Sequence, residues 1–482
     1  MSHSPRLLIS AAHKSSGKTT LSIGLCRALR NRGVDVQPFK KGPDYIDPMW
    51  LSAAAGKACR NLDFNVMAPS EISAYFERHA ADADVALIEG NKGLYDGLDL
   101  DGGNSNAALA TLLGAPVMLV IDARGMTRGI APLILGFQSF DQNIDIAGVI
   151  LNNLGGARHE AKLRAVIEHY TNVPVIGAVH HDARIEIIER HLGLMPNNES
   201  TEAAEKIAAI SGAIAMQVDL DRVLEISGWQ PPKLRHISMA GAAGEKPVRA
   251  ADVRIGWARD RAFGFYYADD LEALQQAGAL LVPLDTLRDS RLPELDGLFI
   301  GGGFPERFML ELEANAALRA DIRDEVQNGL PVYAECGGLM YLARSISWNG
   351  VTRQMTGAIP ADVVMHDKPV GRGYVRLRET DCHPWPQQAA TGSELPAHEF
   401  HYSTLENIGA GITFGYEVLR GQGIDGRRDG IVCHNVFACY AHLRSVGAHN
   451  WAERFVTFVR HVRSGNRQTD TAAATCGRAA IC

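Results

Sequence analysis

The sequence predicts two α/β domains in one chain: a doubly wound parallel sheet that carries a P-loop, followed by a second, separate α/β domain. Three observations support this prediction. Short apolar runs alternate with helical segments along the first half, which is the order typical of a parallel sheet. A Gly-Lys-Thr loop follows the first of these runs. At 482 residues, the chain is also too long for a single hydrophobic core.

The domain boundaries follow from these runs and from one break in the pattern. Residues 1–227 are predicted to form the first domain, with buried strands at RLLIS, VALIEG, PVMLVID, IAGVILNN and PVIGAV. Residues 228–250 are rich in Pro, Gly and Ala without periodicity, which predicts a linker. The second domain is predicted over 251–465, with strands at VRIGWA, ALLVPL, LDGLFIGGG and LPVYAEC. The small, polar stretch 466–482 is predicted to be disordered.

Composition excludes several classes of protein. The formal net charge of -7 argues against a general nucleic-acid binder, which would carry a basic surface. There is no run of 18 apolar residues and no apolar signal-peptide core at the start, so neither a membrane span nor secretion is expected. The eight cysteines contain no C-x-x-C pair, so neither a zinc site nor a disulfide framework is indicated. We therefore expect a cytoplasmic protein without nucleic-acid or membrane partners.

The stretch LLISAAHKSSGKTT at 7–20 is interpreted as a nucleotide site, although the usual G-x-x-x-x-G-K-[ST] pattern would need glycine where Ala12 stands. An apolar strand precedes the loop and a helix follows it. Helix N-terminal N–H groups bind phosphate, Lys18 would reach the outer phosphates, and Thr19 would ligate magnesium. The predicted nucleotide-binding residues are Ser16, Gly17, Lys18, Thr19, Thr20 and, with a turn role as the equal alternative, Asn152.

Acidic residues in two further motifs predict a magnesium site. KKGPDYIDP contains Asp44 and Asp47, and Glu89 ends the apolar strand VALIE. Each of these alone would more often be a helix cap or a solvated turn. Magnesium prefers a few carboxylates together with phosphate oxygens and water, so these three residues and Thr19 are the predicted ligands.

These motifs, together with RNLD at 60–63 and RHLGLMP at 190–196, resemble the cobyrinic acid a,c-diamide synthase family over nearly all of residues 6–460. The resemblance implies a nucleotide domain like that of dethiobiotin synthetase. In that family the loop spaces its glycines one residue wider, so that Ala11 takes the position of the first glycine.

A second site is predicted around Cys336 in LPVYAECGGLMYL. A strand, a sharp turn with small neighbours and then a helix form a nucleophile elbow, and a helix N-terminus favours the thiolate. The alternative is a buried structural cysteine. Backbone N–H groups of Gly302, Gly303 and Gly337 are predicted to form an oxyanion hole, with a simple tight turn as the alternative.

Four histidines are candidates for the base that this thiol needs: His398, His401, His434 and His442. Tyr440-Ala441-His442 matches the Tyr-x-His stretch of the resembling family, which implies that His442 is the base. HEFHYS, which contains His398 and His401, also matches the family, but we assign it no catalytic role. The arrangement resembles class I glutamine amidotransferases, many of which have a glutamate two residues after the histidine. Arg444 stands there, so we predict a Cys–His dyad.

The resemblance implies an ATP- and Mg²⁺-dependent ligase that amidates the a- and c-acetate groups of a tetrapyrrole with ammonia from glutamine, through an acyl phosphate. Several residues depart from the family pattern near the predicted acceptor side, which comprises Lys41, Tyr45, Met49, Trp50 and Asp96. Two alternatives therefore stay open. One is the same chemistry on a sirohaem or nickel-sirohydrochlorin type of ring. The other is a non-catalytic P-loop ATPase or binding protein. A homodimer is compatible with the sequence, which does not give the oligomeric state.

Overall fold

The computed structural model describes residues 4–187, 189–190, 193–199, 202–231, 250–386 and 394–465. The chain forms two compact units, Met1–Met239 and Ala240–Cys482. Most of the predicted linker and all of the predicted disordered tail lie outside the described residues.

The first unit contains nine strands and eight α-helices within the described residues, and a 3₁₀ turn at Ala183–Ile185. The strands are β1 (Arg6–Ala11), β2 (Val36–Lys41), β3 (Arg60–Leu62), β4 (Val85–Glu89), β5 (Val117–Asp122), β6 (Ile146–Leu154), β7 (Val175–His180), β8 (Glu189–Arg190) and β9 (Gly193–Leu194). The helices are α1 (Lys18–Asn31), α2 (Ile46–Ala55), α3 (Pro69–Ala80), α4 (Asn106–Leu113), α5 (Ile130–Phe140), α6 (Ala157–Tyr170), α7 (Ala203–Gln217) and α8 (Leu220–Ile226).

Seven of these strands form one sheet in the order β3-β2-β4-β1-β5-β6-β7, and every pairing in it is parallel. The central strands β1, β4 and β5 are buried along their whole length, as apolar strands covered on both faces must be. Sequence order runs to either side of β1, so the crevice at the carboxyl ends of β1 and its neighbours is where a doubly wound sheet binds its ligand. The loop at 12–17 follows β1 directly.

The second unit contains fifteen strands and five α-helices in its described part, and a 3₁₀ turn at Pro305–Phe308. The strands are β10 (Val253–Ala258), β11 (Phe263–Phe265), β12 (Ala279–Leu284), β13 (Gly297–Ile300), β14 (Gly302–Gly303), β15 (Val332–Glu335), β16 (Ser345–Trp348), β17 (Val351–Gln354), β18 (Asp362–Met365), β19 (Gly371–Glu379), β20 (Glu394–His401), β21 (Ser403–Glu406), β22 (Thr413–Arg420), β23 (Arg428–Cys433) and β24 (Val436–Cys439). The helices are α9 (Ala268–Gln276), α10 (Met309–Ala314), α11 (Ala316–Gln327), α12 (Gly337–Leu342) and α13 (Trp451–Arg463).

The main sheet of this unit has the order β12-β10-β13-β15-β24-β23-β22-β19-β20. Pairings from β12 to β24 are parallel, and those from β24 to β20 are antiparallel. Alternate residues belong to two buried clusters, Leu298 and Ile300 to one and Phe299 to the other, so apolar side chains cover both faces. The parallel half places the ends of β13, β15 and β24 at one edge of the sheet.

The structure confirms the predicted fold class, two α/β units each with a parallel sheet. It adds the antiparallel half of the second sheet, for which we had identified no strands. No helix among the described residues combines the length and the apolar character that crossing a membrane requires.

Candidate active sites

The loop between β1 and α1 has the backbone of a phosphate-binding loop. Ser15 and Gly17 have positive φ values of 60° and 88°, so the chain turns sharply before the helix begins at Lys18. No side chain caps the N-terminus of α1, which leaves its first N–H groups directed out of the helix. Such a helix end attracts phosphate through these donors and through the helix dipole.

Asn152, at the end of β6, supports this loop from behind. Its Nδ2 donates to the carbonyl oxygen of Ser16 at 2.9 Å. A Cβ atom on Gly17 would lie only 2.1 Å from the same Nδ2, so close packing and a positive φ both require glycine there. The structure therefore places Asn152 against the loop backbone, and its contact with a nucleotide stays a prediction. Thr20 lies in the first turn of α1, partly exposed.

Lys18 points back across the loop. Its Nζ donates to the carbonyl oxygen of Lys92 at 2.6 Å, and Lys92 itself has a positive φ of 43°. Burial, with the nearby charge of Lys40, lowers the pKa of Lys18 to about 8. A bond between an ammonium group and an ionised phosphate oxygen is stronger than one to a neutral carbonyl, so Lys18 can exchange this partner for a phosphate.

The predicted magnesium ligands converge, but a residue that we had not assigned lies among them. Thr19 Oγ1 donates to Glu89 Oε1 at 2.6 Å and to Asp47 Oδ2 at 3.2 Å. Lys40 Nζ lies 2.8 Å from the same Glu89 oxygen and 2.5 Å from the same Asp47 oxygen. Its distance to Asp44 Oδ2 is 3.7 Å. The structure thus gathers the three predicted carboxylates around one ammonium group, with Thr19 bonded to two of them.

The electrostatics of this cluster follow from its burial. Burial opposes the charge on Lys40. The nearby carboxylates outweigh this and raise the pKa of Lys40 well above its usual value; they belong to Asp47, Glu89 and Asp44. Burial raises the pKa of Glu89, and it also raises that of Asp44, to about 7. Asp47 keeps a lowered pKa because Lys40 outweighs its burial. Lys40 therefore serves as the positive partner of the three carboxyl groups.

The donor set fits Mg²⁺ in the form that the ion takes at phosphate sites. In the described part of the chain, no group of three or more His, Cys, Asp and Glu side chains is placed to hold a metal by itself. Magnesium at such sites needs only one or two carboxylates besides phosphate oxygens and water. Glu89 Oε2 is buried without a hydrogen-bond partner, and Thr19 Oγ1 lies beside the other oxygen of Glu89. Asp44 is less free, since its Oδ1 accepts the N–H groups of Ile46 and Asp47.

The residues predicted for the acceptor side fall into two groups. Lys41 Nζ donates to Asn91 Oδ1 at 3.1 Å, and Asp96 Oδ2 accepts the N–H of Gly93 at 2.9 Å, so both fix the loop after β4. Tyr45, Met49 and Trp50 lie at or in α2.

Of these, Trp50 departs most from what we expected. It is 1% exposed, and its indole N–H donates to Met195 O at 2.8 Å. Asn197 Nδ2 in turn donates to the carbonyl of Met49 at 2.9 Å. Trp50 is thus a core residue that anchors the 193–197 segment. Any contribution of Trp50 to acceptor binding would have to be indirect, through the position of that segment.

Cys336 occupies the sharp turn that the sequence predicted. It follows β15, precedes α12, and has φ 47° and ψ −101°, a conformation that non-glycine residues rarely adopt. Such strain costs on the order of 1–3 kcal/mol and is found mostly at functional sites. The Cys336 N–H donates to Cys439 O at 2.7 Å, and Sγ lies 3.8 Å from Phe400 O. The nucleophile is therefore held between β24 and β20.

His442 is hydrogen-bonded to Cys336 and also to a second residue, Glu335, whose Oε2 lies 3.2 Å from His442 Nδ1. Burial opposes a charge on the imidazole, but the bonds to Cys336 and Glu335 outweigh it and raise the pKa of His442 to about 10. The protonated imidazole is therefore favoured in this pocket. Glu335 was missed from the sequence.

The other candidate histidines have different environments. His434 is exposed in the turn between β23 and β24. His401 stacks on Tyr440 with ring centroids 3.8 Å apart. His398 stacks on His442 at 4.9 Å, and the backbones of these two residues are hydrogen-bonded to each other. The HEFHYS stretch, to which we gave no catalytic role, thus forms one wall of the site.

The predicted oxyanion glycines lie beside this pair. A Cβ on Gly337 would be 2.9 Å from the Gly303 nitrogen, so these two backbones touch. A Cβ on Gly302 would be 2.8 Å from His442 Cε1. The N–H of Gly301 already donates to the Tyr266 hydroxyl at 3.0 Å. Stabilisation of an oxyanion by Gly302, Gly303 and Gly337 stays a prediction, which this proximity supports.

Gly302→Ala is expected to reduce glutaminase kcat by tenfold or more, because the new methyl group displaces the His442 ring and small misplacements at a reacting centre cost roughly 10²-fold. Ammonia-dependent synthesis should be unchanged. Gly212→Ala is the control, since a Cβ there meets nothing within 4 Å. Steady-state rates with each nitrogen source test this, and an undiminished glutaminase rate in Gly302→Ala would show that the ring tolerates the contact.

A phosphate-binding loop on one parallel sheet and a Cys–His pair at an elbow on another define the class of glutamine-dependent ligases. Family models agree with each half. Residues 8–194 match the CobQ/CobB/MinD/ParA nucleotide binding domain, and residues 254–449 match the CobB/CobQ-like glutamine amidotransferase domain.

Relatives that match along the whole chain define the family. The chain is 47% identical to the cobyrinate a,c-diamide synthase of Magnetococcus marinus, over 95% of this chain and 97% of that one. It is 42% identical to the enzyme of the same name from Methanosarcina acetivorans, over 92% and 93% of the two chains. For that of Archaeoglobus fulgidus, the identity is 40% over 94% and 97%. The chain belongs to the cobyrinate a,c-diamide synthase family.

Proposed function

We propose that this protein amidates the a- and c-acetate carboxylates of cobyrinate, using ATP and the side-chain nitrogen of glutamine. The observation that carries the proposal is the presence, in one chain that matches these relatives over nearly its whole length, of both a phosphate-binding loop and a Cys–His pair. Neither site alone would explain why the other is present in the same chain. Together they supply an activated carboxylate and a nitrogen nucleophile.

In the second unit, the Cys336 thiolate attacks the carbonyl carbon of the glutamine side-chain amide. The oxyanion that forms lies near the backbone of Gly303 and Gly337. His442 gives its proton to the departing nitrogen, so ammonia leaves and a thioester remains on Sγ. Water, losing a proton to the now neutral imidazole, attacks the thioester and releases glutamate. The thiolate–imidazolium pair is then restored.

In the first unit, the acceptor carboxylate attacks the γ-phosphorus of ATP, and ADP leaves. Phosphate oxygens would lie at the N-terminus of α1 with Lys18 beside them. Thr19, Asp47 and Glu89 would hold Mg²⁺, which supplies charge neutralisation for the transferred phosphoryl group. Ammonia then attacks the acyl phosphate and expels inorganic phosphate, which leaves the amide. Oxide is too poor a leaving group for the same step on a free carboxylate.

The alternatives now have less support. All three relatives described above carry the name of the cobyrinate enzyme, and none points to a sirohaem or nickel-sirohydrochlorin ring. A non-catalytic binding protein would not need a strained Cys336 hydrogen-bonded to His442. A homodimer and a cytoplasmic location stay predictions, and sedimentation and cell fractionation would test them.

The experiment that tests the proposed function offers acceptors side by side. With ATP, Mg²⁺ and glutamine, cobyrinic acid is expected to gain two amides, with a mass loss of about one unit each as OH becomes NH₂. Mass spectrometry of the product measures this. Conversion of a sirohaem-type ring with cobyrinic acid inert would establish the alternative acceptor. Glutaminase activity without conversion of either ring would contradict the tetrapyrrole assignment.

A further inference from the structure

Glu335 is a buried carboxylate whose two oxygens are both engaged at the glutaminase site. It is the last residue of β15, immediately before Cys336, and is 2% exposed. Its Oε2 lies 3.2 Å from His442 Nδ1. Its Oε1 accepts the Tyr333 hydroxyl at 2.5 Å and the Leu443 N–H at 3.0 Å. The neighbouring bonds fix the orientation of the oxygen that faces the imidazole.

The place where many class I glutamine amidotransferases carry their acid is occupied differently here. Arg444, two residues after His442, is 4% exposed and donates through Nε to Asp269 Oδ2 at 2.8 Å. This side chain is a cation with a carboxylate partner of its own. The guanidinium has no acceptor atom and cannot accept a hydrogen bond from the ring N–H of His442.

We propose that Glu335 is the positioning residue of the glutaminase: it accepts the Nδ1–H of His442 and so keeps Nε2 turned toward Cys336, both while the ring is protonated and after it has given the Nε2 proton to the leaving nitrogen. The acid of the triad would then come from the strand before the nucleophile instead of from the segment after the histidine. This inference rests on the proposed function. It replaces the Cys–His dyad that the sequence predicted with a triad.

The sheet register explains how an acid at this position reaches the base. β15 and β24 are parallel, and Glu335 is the register partner of Cys439 at the last pair. Both strands end at the same edge of the sheet. His442, three residues after Cys439, therefore lies beside Glu335. The backbone bond from Leu443 to the same carboxylate fixes the distance between the two segments.

The charges around His442 show what Glu335 contributes. Cys336 and Glu335 face its ring, His398 stacks on it, and Arg444 follows it in the chain. Burial lowers the pKa of His398 well below its usual value, so this neighbour stays neutral. Glu335 is therefore the carboxylate that faces the imidazole of His442. Removing the carboxylate charge must lower the pKa of His442.

Glu335→Gln tests the proposal in the full chain, with the glutaminase half-reaction measured without acceptor. The amide keeps the shape but can present an N–H to Nδ1, which would hold the ring in the wrong tautomer. We expect kcat to fall on the order of 10²–10⁴-fold, with KM for glutamine little changed. The high-pH limb of the kcat profile, which reports the general acid, should move to lower pH by one unit or more. Glu335→Asp should retain intermediate activity.

The matched control is Glu379→Gln, which makes the same chemical change at a carboxylate paired with Arg454 at 2.9 Å in the same sheet. It should leave the glutaminase rate and the pH limb unchanged. Ammonia-dependent synthesis by Glu335→Gln should be normal, which shows that the first unit is intact.

The outcomes separate this inference from the proposed function. Native chain without glutaminase activity would contradict the proposed function itself. Active native chain, with Glu335→Gln within about twofold of it and an unmoved pH limb, would overturn the role of Glu335 alone. If Glu335→Gln does not fold, Glu335→Asp decides. A lowered kcat at unchanged KM and normal ammonia-dependent synthesis supports the role, and an unchanged kcat overturns it.

Discussion

Cys336→Ala should abolish glutamine-dependent amidation while amidation with added ammonia continues at the native rate. The thiol makes and breaks bonds only with glutamine and never touches the acceptor. Loss of a nucleophile that acts together with its base costs about 10⁶-fold in comparable hydrolases, so the glutamine-dependent rate should fall below detection. Product formation with glutamine and with ammonium salts, measured on the same preparation, provides the comparison.

Cys433→Ala is the control for this variant, since Cys433 is another free thiol of the same unit, partly exposed in β23. It should behave as the native protein does with both nitrogen sources. A well-folded Cys336→Ala variant that loses both activities would show that the division of labour between the two units is wrong. Retained glutamine-dependent synthesis would instead show that another group releases the ammonia.

Lys18→Ala and Glu89→Ala are each expected to lose synthesis with either nitrogen source. Activation of the carboxylate precedes the attack by ammonia, so an external supply of ammonia cannot bypass it. Lys18 lies at the N-terminus of α1, and Glu89 holds Thr19 and Lys40 in place. Removing one such partner at a phosphoryl-transfer site should cost about 3–4 kcal/mol or more of transition-state stabilisation, a rate loss of about 10²–10³-fold or more.

The control for the lysine is Lys57→Ala, because Lys57 pairs with Asp35 at the surface of the same unit. Glutaminase activity serves as the internal measure of folding, since the second unit carries it. If the ammonia-dependent turnover of either variant stayed near the native rate, the substituted residue would have no role in the activation step. Glu89→Ala also removes the partner of Lys40, so its melting temperature has to be compared with that of the native chain.

Local patterns in the sequence were enough to predict the fold class and the two turns at which Lys18 and Cys336 lie. The strand–loop–helix around Lys18 and the strand–turn–helix around Cys336 are each complete within about fifteen residues. Their chemistry depends on backbone turns that neighbouring residues determine. The strands that we predicted lie where the structure has them. The parallel strands β2 and β3 of the first sheet were not identified, nor were the antiparallel strands, whose apolar runs are shorter and less continuous.

The residues that escaped prediction depend on pairing between distant strands. Lys40 meets Glu89 because β2 and β4 pair in parallel with these two residues in register. Glu335 meets His442 because β15 and β24 pair up to their last residues. A single sequence does not give such registers. Trp50 was assigned to the acceptor side because it departs from the family pattern there, whereas its indole N–H bonds to Met195, 145 positions away.

The ammonium group of Lys40 has a consequence for the protein before any ligand arrives. Three acidic side chains gathered in the interior would repel one another, and a site that relied on a metal to offset this would be incomplete without one. Here the counterion is tethered to the chain itself, on the strand next to Glu89. The repulsion among the three carboxyl groups is therefore offset by the chain's own residue, and folding of the first unit does not have to draw on a bound cation for this purpose.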